Sequence, residues 1–261
     1  MDLELSGKIA VVTGASKGIG LAVTTALVAE GAVVVAGARS PGSDLPRLQD
    51  TGRVHFVPVD LSTAAGPQAL VARAAELGGV DVLVNNAGAV TPRTGGFLSI
   101  TDADWEASFA LTLMATVRTT RAAVPEMVRR GGGSIVTVSS VNAYLPDPLV
   151  LDYSAAKAAV TNVCKALSKE LGPLGIRVNT VSPGPVETGL WLGEHGVAAA
   201  LARSGAGDAA VVAAQAASGA VTGRFTRPDE VADLVLLLAS SRTANVTGTD
   251  VGIDGGLVPT L

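Results

Sequence analysis

The chain has 261 residues, 48% of them hydrophobic and 16% charged, with a formal net charge of −4. This allows a large core in one or two domains, and leaves no basis for a nucleic-acid footprint or a like-charged solvating tail. With Cys164 as the only cysteine, an intrachain disulfide is excluded and a reducing compartment fits.

The N-terminal "MDLELSGKIAVVTG" begins with acids and runs straight into a strand pattern, unlike a signal peptide. Apolar runs such as "VVVAGA" and "LVLLLAS" fall far short of the ~20 residues of a membrane helix. The expectation is a soluble cytoplasmic protein. Along the chain, "KIAVVTG", "AVVVAGAR", "RVHFVPVD", "VDVLVNNAG", "GSIVTVSS", "GIRVNTVSPG" and "TDVGIDGG" read as seven strands. Helical patterns separate them, among them residues 64–77, 102–128 and the stretch from Tyr153. Continuously apolar strands alternating with helices predict an α/β fold: a doubly wound, Rossmann-like parallel sheet covered on both faces. No linker or internal repeat divides residues 1–261, so a single domain is expected. Residues 189–226 break the alternation, being Ala- and Gly-rich without a strand. Low-complexity disorder is one reading. The alanines favour the other, a helical substrate lid that Trp191 and Leu192 help to dock.

"TGASKGIG" (Thr13–Gly20) closes the first strand and opens the first helix. Glycines there let the backbone turn and approach a ligand, while the N–H groups of the helix start face a pyrophosphate. The Gly-x3-Gly-x-Gly spacing of Gly14, Gly18 and Gly20 departs from the Gly-x-Gly-x-x-Gly fingerprint, so alone it argues little beyond a glycine-rich turn. The second strand ends in "AGARS", with Ala38 where an acid would hold a ribose 2′-hydroxyl and Arg39 next to it. Lys17 and Arg39 without a carboxylate suit a 2′-phosphate, hence NADP(H) over NAD(H); the plainer alternative is two solvated surface charges. The phosphate-side set is then Gly14, Ser16, Lys17, Gly18, Ile19, Gly20, Arg39 and Ser40.

"TGASKGIG", "VDL" (Val59–Leu61), "NNAG" (Asn85–Gly88), "VSS" (Val138–Ser140), "YSAAK" (Tyr153–Lys157), "SPG" (Ser182–Gly184) and "DGG" (Asp254–Gly256) occur in an order and spacing that, over essentially the whole chain, resembles the short-chain dehydrogenase/reductase family. The resemblance implies a nicotinamide cofactor and hydride transfer at a carbonyl carbon. It places Asp60 and Leu61 at adenine, Asn86, Ala87 and Gly88 beside the adenosine ribose, and Pro183, Gly184, Val186 and Thr188 at the nicotinamide. In this family a lysine before the second glycine, with an arginine after the second strand, goes with NADP(H); Lys17 and Arg39 match.

Residues i and i+4 share a helix face, so Tyr153 and Lys157 project together. A cation ~4 Å from a phenol is worth about 4 kcal/mol at an effective dielectric of ~20, roughly three pKa units, and desolvation opposes it. Ser140 ends the fifth strand, at the carboxyl edge where ligands of such folds bind. The resemblance makes Ser140 a hydrogen-bond partner of the substrate oxygen and Tyr153 the acid/base. It gives Lys157 two tasks, lowering the tyrosine pKa and holding the nicotinamide ribose. No metal or covalent intermediate is required.

One family position departs. Where the family carries an asparagine that holds a relay water, "WEASFALTLMAT" places Thr112, whose hydroxyl lacks the amide's geometry. Drift at a tolerant position and a slowed relay, changed substrate or lost activity are the competing readings. His55 reads as structural and His195 as an exposed loop residue, neither with metal-ligand company. Arg129 and Arg130 suit either an acidic carrier protein or a helix C-terminus.

The expected function is thus an NADP(H)-dependent ketone/secondary-alcohol oxidoreductase. Similarity to 3-oxoacyl-carrier-protein reductases suggests one substrate class. The lid residues Leu190, Trp191, Leu192 and Val197 lean instead toward a hydrophobic or ring-bearing ketone. The rivals are a cofactor-binding protein without turnover and a non-redox lyase or isomerase on the same fold. By resemblance, helices 104–128 and 153–171 pack against symmetry mates in a homotetramer or homodimer.

Overall fold

A computed structural model describes residues 1–260. Its strands form where β-branched residues cluster: β1 (Ile9–Thr13), β2 (Val33–Ala38), β3 (Val54–Pro58), β4 (Val82–Asn85), β5 (Gly133–Val138), β6 (Ile176–Pro183) and β7 (Asp250–Ile253). They make one seven-stranded sheet in the order β3-β2-β1-β4-β5-β6-β7, with every pair parallel. The chain order reverses between β1 and β4, which opens a crevice beyond the carboxyl ends of those strands.

Helices cover both faces. They are α1 (Gly18–Ala29), α2 (Leu45–Gln49), α3 (Ala65–Glu76), α4 (Asp102–Phe109), α5 (Ala115–Arg129), α6 (Leu151–Leu171), α7 (Gly189–Leu192), α8 (Val197–Leu201), α9 (Ala209–Ser218) and α10 (Pro228–Ala239). Alternation along β1 sends Ala10 and Val12 to one core with Val23 and Leu27 of α1 and Val235 of α10. Ile9 and Val11 go to the other core, with Leu70 of α3, Met127 of α5 and Val160 of α6. Each such side chain, fully buried, contributes about 1.5–3 kcal/mol.

Three features refine the sequence reading. The helix between the second and third strands, to which the sequence reading gives no bounds, is the short α2, anchored by the fully buried Leu45. The helix read over 102–128 is α4 and α5 joined through a π turn at Ala110–Met114. Its start is fixed by a capping box between Thr101 and Asp104. The 189–226 stretch is helical, α7, α8 and α9, with Asp208 capping α9 through a 2.7 Å bond from the Ala210 N–H. This excursion is closed at its base. A parallel bridge joins Val186 to Thr226, with Glu187 N–H donating to Thr226 O (2.9 Å) and Thr226 N–H to Pro185 O (3.0 Å). Above it the rings of Trp191 and Phe225 lie 5.6 Å apart. Among the described residues no single helix is long and apolar enough to cross a membrane.

Candidate active site

A cleft of about 910 Å³ lies over the switch between β1 and β4, at the upper end of the ~300–1,000 Å³ typical of small-molecule sites. Every residue expected at the site lines it, except Gly20 and Thr112. Gly14 turns the chain at φ +66° as β1 leaves the sheet. Gly20 lies beneath the loop: a Cβ there would meet Gly14 O at 2.2 Å and Asn86 Nδ2 at 2.5 Å, so its place is close packing.

The residues present fit an anionic nucleotide. Helix α1 opens into the cleft with Lys17 at its N-cap, no side chain capping it and no acid in its first turn. Its unpaired N–H groups and positive dipole end are left for an anion. Lys17, Arg39 and Ser40 border that end of the cleft, and both cations are exposed. Asp60 lies close enough to Arg39 for that cation to favour its charged form, although the bonds from Ser62 do more to hold its carboxyl low. Asn86 lines the cleft and also braces it. Its amide donates to Thr13 O (3.1 Å) and Gly14 O (3.2 Å), which binds the loop after β4 to the glycine turn.

At the other end, Ser140, Tyr153 and Lys157 converge from the end of β5 and the first two turns of α6. The Ser140 hydroxyl donates to Asn142 Oδ1 (3.1 Å), accepts from the Asn142 N–H (3.2 Å) and meets the Tyr153 hydroxyl. Lys157 Nζ donates to Val138 O (2.7 Å) and lies 5.6 Å from the Tyr153 ring centroid. A Cβ on Gly88 would stand 3.8 Å from Lys157 Nζ and 3.9 Å from Thr112 Oγ1, so the ammonium and the threonine hydroxyl border one spot. Thr112 is buried within the π turn, and its hydroxyl has no hydrogen-bond partner among the described residues. Such turns recur at functional positions because the extra residue re-aims a side chain.

Electrostatically the pair departs from the sequence argument. Burial pushes the Tyr153 phenol up to about 12, and the hydrogen bond with Ser140 opposes this only in part. Burial also pulls Lys157 down to about 8. The expected depression of Tyr153 by Lys157 is therefore not a property of the chain's own groups. Desolvation dominates at Tyr153, although the phenol keeps an opening toward the cleft. The site can hold a protonated phenol against a substrate oxygen and a marginally charged lysine behind it.

The substrate end is walled by Leu145, Leu149, Leu190, Trp191, Val197, Leu201 and Leu257, with Asn142 and Gln215 among its polar groups. Leu192 and His195 point elsewhere on the surface. His55 sits on β3 beside Arg73 (3.4 Å), and Arg130 is committed to both oxygens of Asp81 (2.8 and 2.9 Å). Sequence reasoning missed Asn142, two residues past Ser140, and Leu257, which follows "DGG"; position relative to those motifs was the available signal.

A parallel sheet with an uncapped helix start at its switch point, and a Ser/Tyr/Lys cluster across the same cleft, defines the nicotinamide-dependent oxidoreductases of Rossmann type. The short chain dehydrogenase model matches residues 8–195. The chain is 35% identical to a 3-oxoacyl-[acyl-carrier-protein] reductase of Thermotoga maritima, over 98% of this chain and 100% of that one. It is 36% identical to a D-threitol dehydrogenase of Mycolicibacterium smegmatis, over 98% and 94%. Among solved structures, L-sorbose reductase from Gluconobacter frateurii, complexed with NADPH and L-sorbose, superposes with a TM-score of 0.91 at 36% identity, covering all of both chains. The chain belongs to the short-chain dehydrogenase/reductase family and is an oxidoreductase that binds a nicotinamide cofactor.

Proposed function

We propose that this protein uses NADP(H) to interconvert a ketone and a secondary alcohol, with Tyr153 as acid/base. The observation that carries the reading is the convergence of Ser140, Tyr153 and Lys157 on one cleft with an uncapped α1 at its far end. Lys17 and Arg39, with Ala38 where an acid would hold a 2′-hydroxyl, favour a 2′-phosphate over a free 2′-hydroxyl. Gly14, Ser16, Gly18, Ile19 and Ser40 cradle the phosphates, Asp60 and Leu61 border the adenine, and Ala87 and Gly88 its ribose. Pro183, Gly184, Val186 and Thr188 hold the nicotinamide end, where the bound cofactor supplies or accepts a hydride.

Ser140 turns its hydroxyl from Asn142 to the substrate oxygen. The Tyr153 phenol, protonated over the whole working range, gives its proton to that oxygen as the carbonyl is reduced. Lys157 holds the nicotinamide ribose through its ammonium, and its charge stabilises the phenolate left on Tyr153 once the proton has been given. In the oxidative direction Tyr153 must first lose that proton, which burial opposes.

Residues 189–226 act as the substrate lid of a single-domain enzyme. Leu190, Trp191 and Val197 favour an apolar or ring-bearing ketone, while the relatives that act on threitol and sorbose make a polyhydroxy ketone the alternative to test. We further place the enzyme in the cytoplasm as a homotetramer or homodimer built on α4, α5 and α6. A second reading, cofactor binding without turnover, is favoured by the unpartnered Thr112 hydroxyl.

The test is loss of NADPH absorbance against a panel of apolar, ring-bearing and polyhydroxy ketones, with Tyr153→Phe in parallel. Turnover is expected to fall on the order of 10²–10⁴-fold in the variant while NADPH still binds. Tight NADPH binding with no turnover anywhere on the panel would favour the second reading, and an active Tyr153→Phe would remove Tyr153 from the chemistry.

A further inference from the structure

Arg93 lies in the loop between β4 and α4, outside the cleft, yet it makes more directed contacts to the start of α6 than any other side chain. Its backbone N–H donates to Leu149 O (2.6 Å). Its guanidinium forks onto both oxygens of Asp152, Nε to Oδ1 (3.2 Å) and Nη2 to Oδ2 (2.6 Å). The remaining nitrogen, Nη1, donates to Asp104 Oδ1 (2.8 Å). The second oxygen of Asp104 accepts from the Thr101 N–H (3.0 Å) and hydroxyl (2.6 Å), so the same carboxylate starts α4. One side chain thereby joins the loop, the first turn of α4 and the first turn of α6.

Asp152 directly precedes Tyr153, and its side chain is only 3% exposed. Among the described residues, Arg93 supplies every hydrogen bond that carboxylate accepts. Helix α6 has no side-chain cap; Val150 stands at its N-cap with φ −138° and ψ 46°. Apart from the long bonds that Ser154 accepts from Asn142 Nδ2 and the Asp147 N–H (3.4 Å each), the turn that carries Tyr153 is tied from outside by the Arg93 fork. A buried ion pair contributes little net stability compared with apolar packing, so its return must be sought in geometry. A planar fork fixes distance and orientation together, which a lysine's point charge does not.

We infer that Arg93 is a positioning residue: through Asp152 and Leu149 it sets the placement of the Tyr153 phenol against Ser140. The same loop carries Gly88, which faces Lys157 and Thr112, and Leu149 forms part of the substrate wall. Arg93 thus keeps the cofactor side and the substrate side of the cleft in register. This rests on Tyr153 being the acid/base.

The chain contains two tyrosines, so Tyr144→Phe leaves Tyr153 as the only one. Fluorotyrosine incorporated in that background places a single label on the phenol, read by fluorine NMR without any turnover. Arg93→Met and the conservative Arg93→Lys are compared with the parent for line shape, kcat, KM and NADPH Kd. In Arg93→Met the single narrow line is expected to broaden or split. Its kcat falls on the order of 10²-fold, the cost of an ångström-scale misplacement, at unchanged NADPH Kd. Arg93→Lys, which keeps a charge beside Asp152, recovers part of both. If Arg93→Met does not fold, the comparison is read from Arg93→Lys alone, with the same direction expected.

A parent-like line in folded Arg93→Met overturns the inference, as does a parent-like line in Arg93→Lys where that is the only folded variant, or a fall in kcat with the line unchanged. Failure of the underlying reading looks different: Tyr153→Phe would then turn over, while the fluorine line would still report whether Arg93 holds the ring.

Discussion

Lys157→Met should make the protein more stable while abolishing its turnover. Lys157 is 4% exposed, and burial moves its ammonium from 10.5 to about 8. A displacement of that size is on the order of 3 kcal/mol against the folded state at neutral pH. Removing the amine also strands the buried Val138 carbonyl that Nζ bonds at 2.7 Å, a loss of about 1–3 kcal/mol. The net expectation is a gain between zero and about 2 kcal/mol, up to a few degrees in Tm for a chain of this size. The pH dependence isolates the cause. Between pH 8 and 9 the folded chain has largely released this proton while the unfolded chain, titrating near 10.5, keeps it. The unfolded state then binds more protons, so parent stability rises with pH, by about 1 kcal/mol over that interval. Above pH 9 the buried Cys164 thiol, raised from 9.0 to about 11, opposes the trend and closes the window. Urea unfolding at fixed protein concentration without cofactor, at pH 7, 8 and 9, measures both effects. A Lys157→Met protein less stable than the parent at pH 7, or one that keeps the rise between pH 8 and 9, would refute the reasoning.

Other expectations are sharp enough to fail. The rate of ketone reduction should decline above about pH 8 as Lys157 loses its charge; a flat profile to pH 9 would mean that the ammonium is dispensable. Lys17→Ala and Arg39→Ala should each weaken NADPH binding about ten-fold or more with little change for NADH, since a charge-assisted bond to phosphate is worth about 1.5–3 kcal/mol. Equal losses for both cofactors, read by fluorescence titration, would place the two cations elsewhere. Thr112→Val removes a buried hydroxyl without a partner, so stability should hold or rise by about 1 kcal/mol. If that hydroxyl serves proton relay, kcat falls at constant KM, and Thr112→Asn raises it. Trp191→Ala breaks the contact with Phe225 and should raise KM for bulky ketones while sparing NADPH Kd.

The elements the sequence shows best are those set by local rules. β-branched runs gave all seven strands, and the i,i+4 spacing of Tyr153 and Lys157 put both on one face of α6. The position of Ser140 at the end of β5 brought it to the same cleft. The α1 glycine turn was equally legible, because it depends on the absence of side chains there. What escaped depends on distance or on burial. Arg93 and Asp152 are 59 residues apart, with no spacing rule to join them. The π turn around Thr112 has no composition of its own, and α2 is too short for periodicity. How far desolvation opposes the lysine at Tyr153 depends on the depth of its burial, which spacing along α6 does not reveal. The bonds from the Asn86 amide to Thr13 O and Gly14 O join positions 73 and 72 residues apart, which no motif spacing announces.

The bridge between Val186 and Thr226 has a consequence for how this protein can diversify. Both ends of the helical excursion are fastened at one point beside the sheet, so the entropy of closing it is already spent in the scaffold. The length and sequence between those ends can change while β6 and α10 stay where they are. Residues 189–225 therefore form an exchangeable cassette: transplanted between relatives across the same two anchors, it would carry substrate preference with it and leave the cofactor half of the cleft untouched.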